Sequence, residues 1–279
     1  MFVAYALSFF VAFTSAHAFQ KTTLPSDFAS VCEAGLITDN PKFFVIEVLM
    51  RRYGATDCAS AFDALQGLKV FSTDSLPFSM AKMDVVHYLP DASLLRHASE
   101  LKGVDLTFSR LRGLDGLTGN SRLRRLVITD FEGESVKELG TLKNLETLEF
   151  SEPKTDRLNY LFVRELTKLR TLEIRGASLG SVDFLREESM RDVWALDFAY
   201  NEIADLTPIL AFRNLRFLQL AGNQIKDVEA LGELEALEYL GISGNPVSEE
   251  SIRRLRQKLP KLVISKNSAS LFRASRWTK

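Results

Sequence analysis

Apolar side chains recur along most of this chain in a fixed pattern, with leucine or a similar residue alternating with polar residues over short stretches. The clearest stretch is LRFLQLAGNQIKD at 215–227, where Leu218 and Leu220 enclose one polar residue and Asn223 follows them. This alternation predicts a short β-strand that buries one face and exposes the other.

The same string returns along the chain at intervals of 22 or 24 residues. A period of this length indicates a solenoid, because one unit cannot cover its own apolar face and stacked units bury a shared core. The seven copies begin at Leu101, Leu123, Leu145, Leu169, Val193, Leu215 and Leu237.

The repeated pattern L-x-x-L-x-L-x-x-N-x-L resembles the leucine-rich repeat, in the short form of the bacterial internalins, over roughly residues 101–247. The resemblance implies an α/β solenoid with a curved parallel sheet of seven or eight short strands. It also implies short helical turns on the convex side and helical caps at both ends. Because this family mostly binds other macromolecules, the resemblance favours a binding function.

The asparagine position of the pattern differs between the two halves of the array. An asparagine amide there can bond turn backbone that would otherwise be buried without a partner. Only the last three copies keep it, so we expect a less regular and less stable first half. In chain order the position reads Ser109, Phe131, Pro153, Ala177, Asn201, Asn223 and Asn245.

The segment before the repeats, residues 19–66, has the pattern of a helical cap. Pro41 and Gly54 flank an apolar helix predicted over 42–53, since proline favours the start of a helix and glycine the position after its end. Asp57 can cap a second helix. With its two cysteines, the segment resembles the disulfide-bearing helical cap of exported bacterial repeat proteins.

Cys32 and Cys58 are the two cysteines of the sequence. In an exported protein such a pair is usually joined, and we predict a disulfide; two buried free thiols are the alternative. Residues 1–18 carry no charged side chain and end on Ala16-His17-Ala18, which resembles a secretory signal peptide cleaved after Ala18. We therefore expect a secreted, periplasmic or cell-surface protein.

The remaining segments are assigned from their patterns. Residues 67–100 do not fit the repeat phase and are interpreted as a degenerate repeat or an insertion. Residues 248–264 are predicted to form a C-terminal cap of one helix, capped by Ser248, and one strand. Residues 265–279 are interpreted as a basic tail. The longer region from Ser251 to the last residue contains nine basic residues and no acidic one. This tail can attach to an anionic envelope surface, or it is simply solvated.

The sequence lacks the common signatures of enzyme chemistry. The motifs GxSxG, GxxxxGK[ST] and GxGxxG do not occur, and His87 and His97 lie ten residues apart without a metal-binding spacing. We predict a non-enzymatic protein with no catalytic residue, no metal and no cofactor. A net charge of −1 also gives no reason to expect a nucleic-acid partner.

One position of each predicted strand points to the concave face between two core positions. Since parallel strands lie about 4.8 Å apart, Glu149, Glu173 and Asp197 are predicted to form an acidic ladder. Such a ladder can raise a pKa or hold a cation, and a carboxylate-pair hydrolase is a remote alternative. A solvated ladder offset by Arg170 and Arg175 is the simplest interpretation. The whole column reads Asp105, Val127, Glu149, Glu173, Asp197, Gln219 and Gly241.

Aromatic residues flank the ladder in three consecutive repeats: Trp194, Tyr200, Phe217 and Tyr239, beside Arg216. Outward aromatic residues next to arginine are frequent anchors of protein interfaces, although they can also simply pack along a solvated sheet. We predict a monomeric protein-binding module in which these five residues contact a macromolecular partner and the acidic ladder sets its charge preference. A structural envelope component held by the basic tail is the alternative.

Overall fold

The structure is a computed structural model that describes residues 23–34, 43–73, 91–107, 110–156, 158–185 and 190–266. The predicted signal peptide, Pro41, His87, Ser109 and the tail from residue 267 onward lie outside the described residues.

Nine short parallel strands pair in chain order to form one curved sheet. The predicted α/β solenoid is confirmed, with nine strands rather than seven or eight. The additional strands, β1 and β9, lie in the segments that flank the seven repeats. The strands are β1 (Val70–Ser72), β2 (Gly103–Leu106), β3 (Arg125–Thr129), β4 (Thr147–Ser151), β5 (Thr171–Arg175), β6 (Ala195–Asp197), β7 (Phe217–Gln219), β8 (Tyr239–Gly241) and β9 (Val263–Ser265).

Equivalent residues of successive repeats stand side by side, because each strand pairs in register with the next. Leu196, for example, is the partner of Leu172 on one side and of Leu218 on the other. All three side chains are fully buried. Each repeat therefore covers the apolar face of its neighbours, as the sequence period requires.

The convex side is built from short 3₁₀ segments whose apolar residues point into the same core. One of the expected helical turns is present as Thr207–Ile209, which contains Pro208, and Ile209 is fully buried. The other described segments are Ser93–His97, Lys137–Thr141, Tyr160–Glu165 and Glu229–Glu233.

The asparagine column works as predicted in the second half. The Nδ2 group of Asn223 donates to the carbonyl oxygens of Phe198 and Leu220, each at 2.9 Å. Its Oδ1 accepts from the amide of Ile203 at 3.0 Å. The two other asparagines of the column make equivalent bonds, so the amides tie successive turns together.

A chain of aromatic rings fills the core of the first half, where the asparagines are missing. Strands β3–β5 have five residues each and β6–β9 have three, so strand pairing is not shorter where the asparagines are missing, and the lower stability of the first half stays a prediction. At the asparagine position itself, Phe131 is fully buried. Apolar packing thus takes the place of amide bonding. In order, the rings are Phe131, Phe150, Tyr160, Phe184 and Phe198, with centroids 5.6, 6.0, 5.8 and 6.3 Å apart.

The N-terminal cap contains three helices, α1 (Ser26–Ala34), α2 (Phe43–Tyr53) and α3 (Cys58–Gly67). The capping role of Asp57 is confirmed, since its Oδ1 accepts from the Ser60 amide at 2.8 Å. Helix α1 has no counterpart in the sequence predictions. No helix within the described residues combines the length and hydropathy needed to cross a bilayer.

The predicted disulfide is present and joins Cys32 on α1 to Cys58 at the start of α3. Replacing both cysteines with alanine is expected to lower the free energy of unfolding by on the order of 3 kcal/mol, because the unfolded chain is no longer cross-linked. Urea denaturation of the variant and of the reduced native protein measures this, and both should unfold at the same lower midpoint. A midpoint unchanged from the oxidised protein would show that the cross-link contributes nothing to stability.

His97 connects this cap to the repeats and acts as a structural residue. Its Nε2 lies 3.1 Å from Asp27 Oδ2, and its ring packs edge-on against Phe28 and Phe62. Arg96 also pairs with Asp27. Although burial opposes ionisation, the hydrogen bonds from Arg96 and His97 lower the pKa of Asp27 to about 2.

Tyr53 closes the outer edge of strand β1. Its hydroxyl donates to the carbonyl of Val70 at 3.0 Å and accepts from the amide of Ser72 at 3.1 Å. A neighbouring strand would otherwise supply these bonds. One side chain therefore satisfies two backbone groups of an edge strand.

The C-terminal cap is helix α4 (Glu249–Lys258), followed by β9. The predicted cap residue, Ser248, accepts from the Ser251 amide at 3.1 Å. Ser251 in turn donates to Asp227 Oδ1 at 2.6 Å, which fastens the helix to the preceding repeat.

Candidate functional site on the concave face

The predicted acidic ladder exists in the sheet. Glu149 on β4 pairs in register with Glu173 on β5, and Glu173 pairs with Asp197 on β6. The strand register therefore brings three carboxylates into one column, as the repeat spacing predicts.

The ladder is buried, so the interpretation of a solvated ladder is wrong. Glu173 is 7% exposed and Asp197 is 1% exposed. The Oδ1 of Asp197 accepts from the Ala199 amide at 2.9 Å, and Ser151 donates to Glu173 Oε1 at 3.0 Å. These bonds hold the carboxylates against the sheet between their strand neighbours instead of letting them extend into solvent.

Two arginines lie against the ladder. Arg125, which the sequence analysis missed, donates to Glu149 Oε1 at 2.8 Å. Arg175 lies between the other two carboxylates, 3.9 Å from Glu173 Oε1 and 3.8 Å from Asp197 Oδ1.

Arg170 does not take part in the ladder, contrary to the prediction. Its nearest carboxylate is that of Glu146, at 4.0 Å. The strand register explains this, because residue 170 precedes β5 and so lies beyond the end of the acidic column.

Burial raises the pKa of all three ladder carboxyls. For Glu173, burial together with the charges of Asp197 and Glu149 outweighs Arg175 and raises the pKa to about 8. For Asp197, burial outweighs Arg175 and the Ala199 amide and raises the pKa to about 6. The pair therefore retains a proton near neutral pH.

One oxygen of the ladder lacks a donor. Asp197 Oδ2 is buried and has no hydrogen-bond partner among the described residues. The described residues also contain no group of three or more histidine, cysteine, aspartate or glutamate side chains suited to hold a metal ion. A buried carboxylate oxygen without a donor is costly when ionised, so the unpaired oxygen of Asp197 favours the protonated form of the pair.

The aromatic residues differ in exposure: Trp194 and Phe217 are partly buried, Tyr200 is half-exposed and Tyr239 is buried. The rings of Trp194 and Phe217 meet edge to face with centroids 5.6 Å apart, and the Arg216 guanidinium lies 6.0 Å from the Phe217 centroid. Tyr239 is only 7% exposed, so the prediction that it faces outward is wrong. It lies in the same column as Phe217 and Val263, which flank it on the adjacent strands.

Tyr200 lies at the end of this face. Its φ of +60° is left-handed, a conformation shared by the equivalent residues of other described repeats, among them Asp130, Glu152, Gly222 and Gly244. Its ring lies over Gly222, where an added Cβ would approach Tyr200 Cδ1 to 2.8 Å. The side chain is nevertheless 49% exposed, and Arg175 lies 5.5 Å from its ring centroid.

No known protein family matches the sequence, and no curated protein matches it significantly. Solved structures with a similar fold include internalin C2 from Listeria monocytogenes, at a TM-score of 0.58 and 14% identity over 81% of this chain and 93% of that one. Another is TLR13 in complex with ssRNA13, at a TM-score of 0.55 and 19% identity over 77% of this chain and 34% of that one. The fold is therefore that of a leucine-rich-repeat solenoid, as the resemblance in the sequence implied.

Proposed function

We propose that this chain is an exported, non-enzymatic binding protein that recognises a macromolecular partner through the second half of its concave face. The observation that carries this proposal is the cluster of Trp194, Phe217 and Arg216 at the start of strands β6 and β7, together with the half-exposed Tyr200 beyond the end of β6. We name these four residues the aromatic patch.

The aromatic patch has the chemistry of an interface anchor. Aromatic rings and arginine give large contact areas at a small entropy cost, and they dominate the binding energy of many interfaces. Tyr200 holds its ring half-exposed from the left-handed backbone position that Asp130 and Glu152 also adopt in their repeats. The exposed aromatic ring at this position supports a role in binding.

The other predicted contact residues are assigned indirect roles. Tyr239 lies beside Phe217 on the adjacent strand, and the buried carboxyls of Glu173 and Asp197 act through Arg175 rather than by touching a partner. Glu149 is neutralised by Arg125. The charge preference of the face thus depends mainly on the exposed Arg216 and Glu238, whose surface ion pair contributes little to stability.

Two further observations support export and a macromolecular partner. The Cys32–Cys58 disulfide favours an oxidising compartment, in keeping with the signal-like residues 1–18. The TLR13 structure shows the same fold bound to a macromolecule, in that case the RNA ssRNA13. For this chain we propose a protein partner, because aromatic residues with a single arginine and a net charge of −1 give no phosphate-binding surface.

Replacing Trp194 with alanine is expected to weaken binding of that partner by about 30-fold, equivalent to a loss of about 2 kcal/mol at an interface anchor. The partner is first identified by photo-crosslinking in extracellular and envelope fractions, from a photoreactive residue placed at position 200. Calorimetry with the purified partner then compares the native protein with Trp194→Ala.

Leu161→Ala provides the matched control, since Leu161 is 47% exposed on a convex 3₁₀ segment and should leave the affinity unchanged. Equal affinities for native protein and Trp194→Ala would contradict the proposal. If truncation after residue 266 abolished binding instead, attachment through the basic tail would replace the concave face as the function.

A further inference from the structure

Arg175 lies between Tyr200 of the aromatic patch and the buried carboxyls of Glu173 and Asp197. The Arg175 guanidinium lies 3.9 Å from Glu173 Oε1 and 3.8 Å from Asp197 Oδ1, and its Cζ lies 5.5 Å from the ring centroid of Tyr200. The separations from the two carboxylates are those of ion pairs, and each exceeds the length of a direct hydrogen bond. Arg175 is therefore attracted both by the carboxylates below it and by the aromatic ring beside it, in addition to its other contacts.

The charges around the carboxylate pair do not balance when both groups ionise. The described residues that face the pair are Glu149 and Ser151 from β4, Arg175 from β5 and the neutral Gln219 from β7. Glu149 is itself paired with Arg125, so Arg175 is the one cation that the described neighbours supply to two buried carboxylates. The uncompensated charge is disfavoured in a buried site, and Asp197 Oδ2 lacks a donor that could stabilise it.

We propose that Glu173, Asp197 and Arg175 form a proton-controlled latch that sets whether Arg175 rests against the ring of Tyr200. When the pair holds one proton, Arg175 faces a single negative charge and remains within cation–π distance of the ring. When the proton leaves, a second buried negative charge draws the guanidinium into direct hydrogen bonds with the carboxylates, and the ring loses its cation.

The latch rests on the proposed function and extends it. It makes the surface through which this chain would bind its partner depend on pH. The pKa values of about 8 for Glu173 and about 6 for Asp197 place the change near neutrality. Tyr200 is the part of the aromatic patch that would respond, because it is the ring that Arg175 contacts. In this proposal, the ligand that the buried pair of Glu173 and Asp197 binds is a proton.

The test is a pH titration of the intact protein by NMR with carbon-13-labelled tyrosine rings, in the absence of any partner. The signal of Tyr200, assigned by its loss in Tyr200→Phe, is expected to shift in a transition centred near pH 8, where the last proton leaves the pair. The Tyr53 signal, from the far end of the sheet, serves as the internal reference. The transition should disappear in Glu173→Gln and persist in Glu165→Gln, which changes an exposed glutamate paired with Lys143.

A second variant separates movement of Arg175 from a direct electrostatic effect of the carboxylates on the ring. In Arg175→Gln, the Tyr200 transition should be lost, because no cation remains to move. Persistence of the transition in that variant, or its absence in the native protein, would overturn the latch. If Arg175→Gln does not fold, Arg175→Lys is used, and a transition identical to that of the native protein would then overturn it. Because no partner is present, failure of the latch is distinguishable from failure of the proposed binding function.

Discussion

Asn223→Ala is expected to lower the free energy of unfolding by about 2 to 6 kcal/mol. The substitution removes the amide that donates to the carbonyls of Phe198 and Leu220 and accepts from the amide of Ile203. The Ile203 amide loses its acceptor, which costs about 1 to 3 kcal/mol. The two carbonyls keep the bonds from Asn201 and Asn245, so each lost bond costs only about 0.5 to 1.5 kcal/mol. The expected effect is therefore a large part of the stability of an ordinary domain.

Urea denaturation followed by circular dichroism measures this loss, with Asn214→Ala as the matched control. Asn214 donates one exposed hydrogen bond to the carbonyl of Arg191, so its replacement should change stability by less than about 1 kcal/mol. Similar losses in the two variants would show that burial of the amide column is not what stabilises the second half of the array.

The second large effect concerns pH. Glu173→Gln is expected to stabilise the protein at alkaline pH, although it removes a charged residue that lies near an arginine. The folded-state pKa of Glu173, about 8, exceeds the ordinary value of 4.5, so the folded protein binds this proton more tightly than the unfolded chain. Stability therefore falls as pH rises from about 4.5 to 8, with a limiting slope of about 1.4 kcal/mol per pH unit.

Asp197, with a pKa raised to about 6, acts in the same direction at lower pH. In Glu173→Gln the amide can still accept from Ser151, and Asp197 is left in a one-to-one pair with Arg175. The variant should therefore lose less stability than the native protein between pH 5 and 9.

Melting temperatures measured across that range provide the test. Glu165→Gln is the control, because Glu165 is exposed and its hydrogen bond with Lys143 lowers its pKa, so it stays ionised across the range. Parallel pH profiles for the native protein and Glu173→Gln would be incompatible with a buried proton on this pair.

The repeat pattern was sufficient to predict the solenoid and the in-register acidic column. Both follow from the chain period, because a fixed spacing and a parallel sheet bring equivalent residues together whatever the neighbouring side chains are. The cap of α3 at Asp57 and the turn at Pro208 were predictable for a similar reason, since each depends on local residues alone.

Burial of side chains on the concave face was not predictable from the same pattern. Glu173 and Tyr239 both occupy positions that alternate with core leucines, which favours exposure, yet both are 7% exposed. Their burial depends on side chains of adjacent repeats, and a single repeat does not specify these. The strained backbone of Tyr200 was also missed, although one signal existed: glycine stands at the equivalent position in the two repeats that follow.

The aromatic chain shows how one core can be completed in two ways. From the sequence of the repeats, we expected a less regular and less stable structure wherever the asparagine was missing. The structure instead places Phe131 in the interior, in contact with Phe150 at a centroid distance of 5.6 Å. Aromatic packing therefore replaces the amide bonds in the first half, and the two halves remain joined, because Phe198 packs on Phe184 and Asn201 donates to the carbonyl of Ile174.

The hydroxyl of Tyr53 also bears on how copies of this molecule associate. An uncapped parallel strand at one end of a solenoid is a template to which the opposite end of another copy can add. Such head-to-tail addition does not close on itself and produces filaments. By occupying the carbonyl of Val70 and the amide of Ser72, a single phenol terminates the sheet and prevents its growth at this edge.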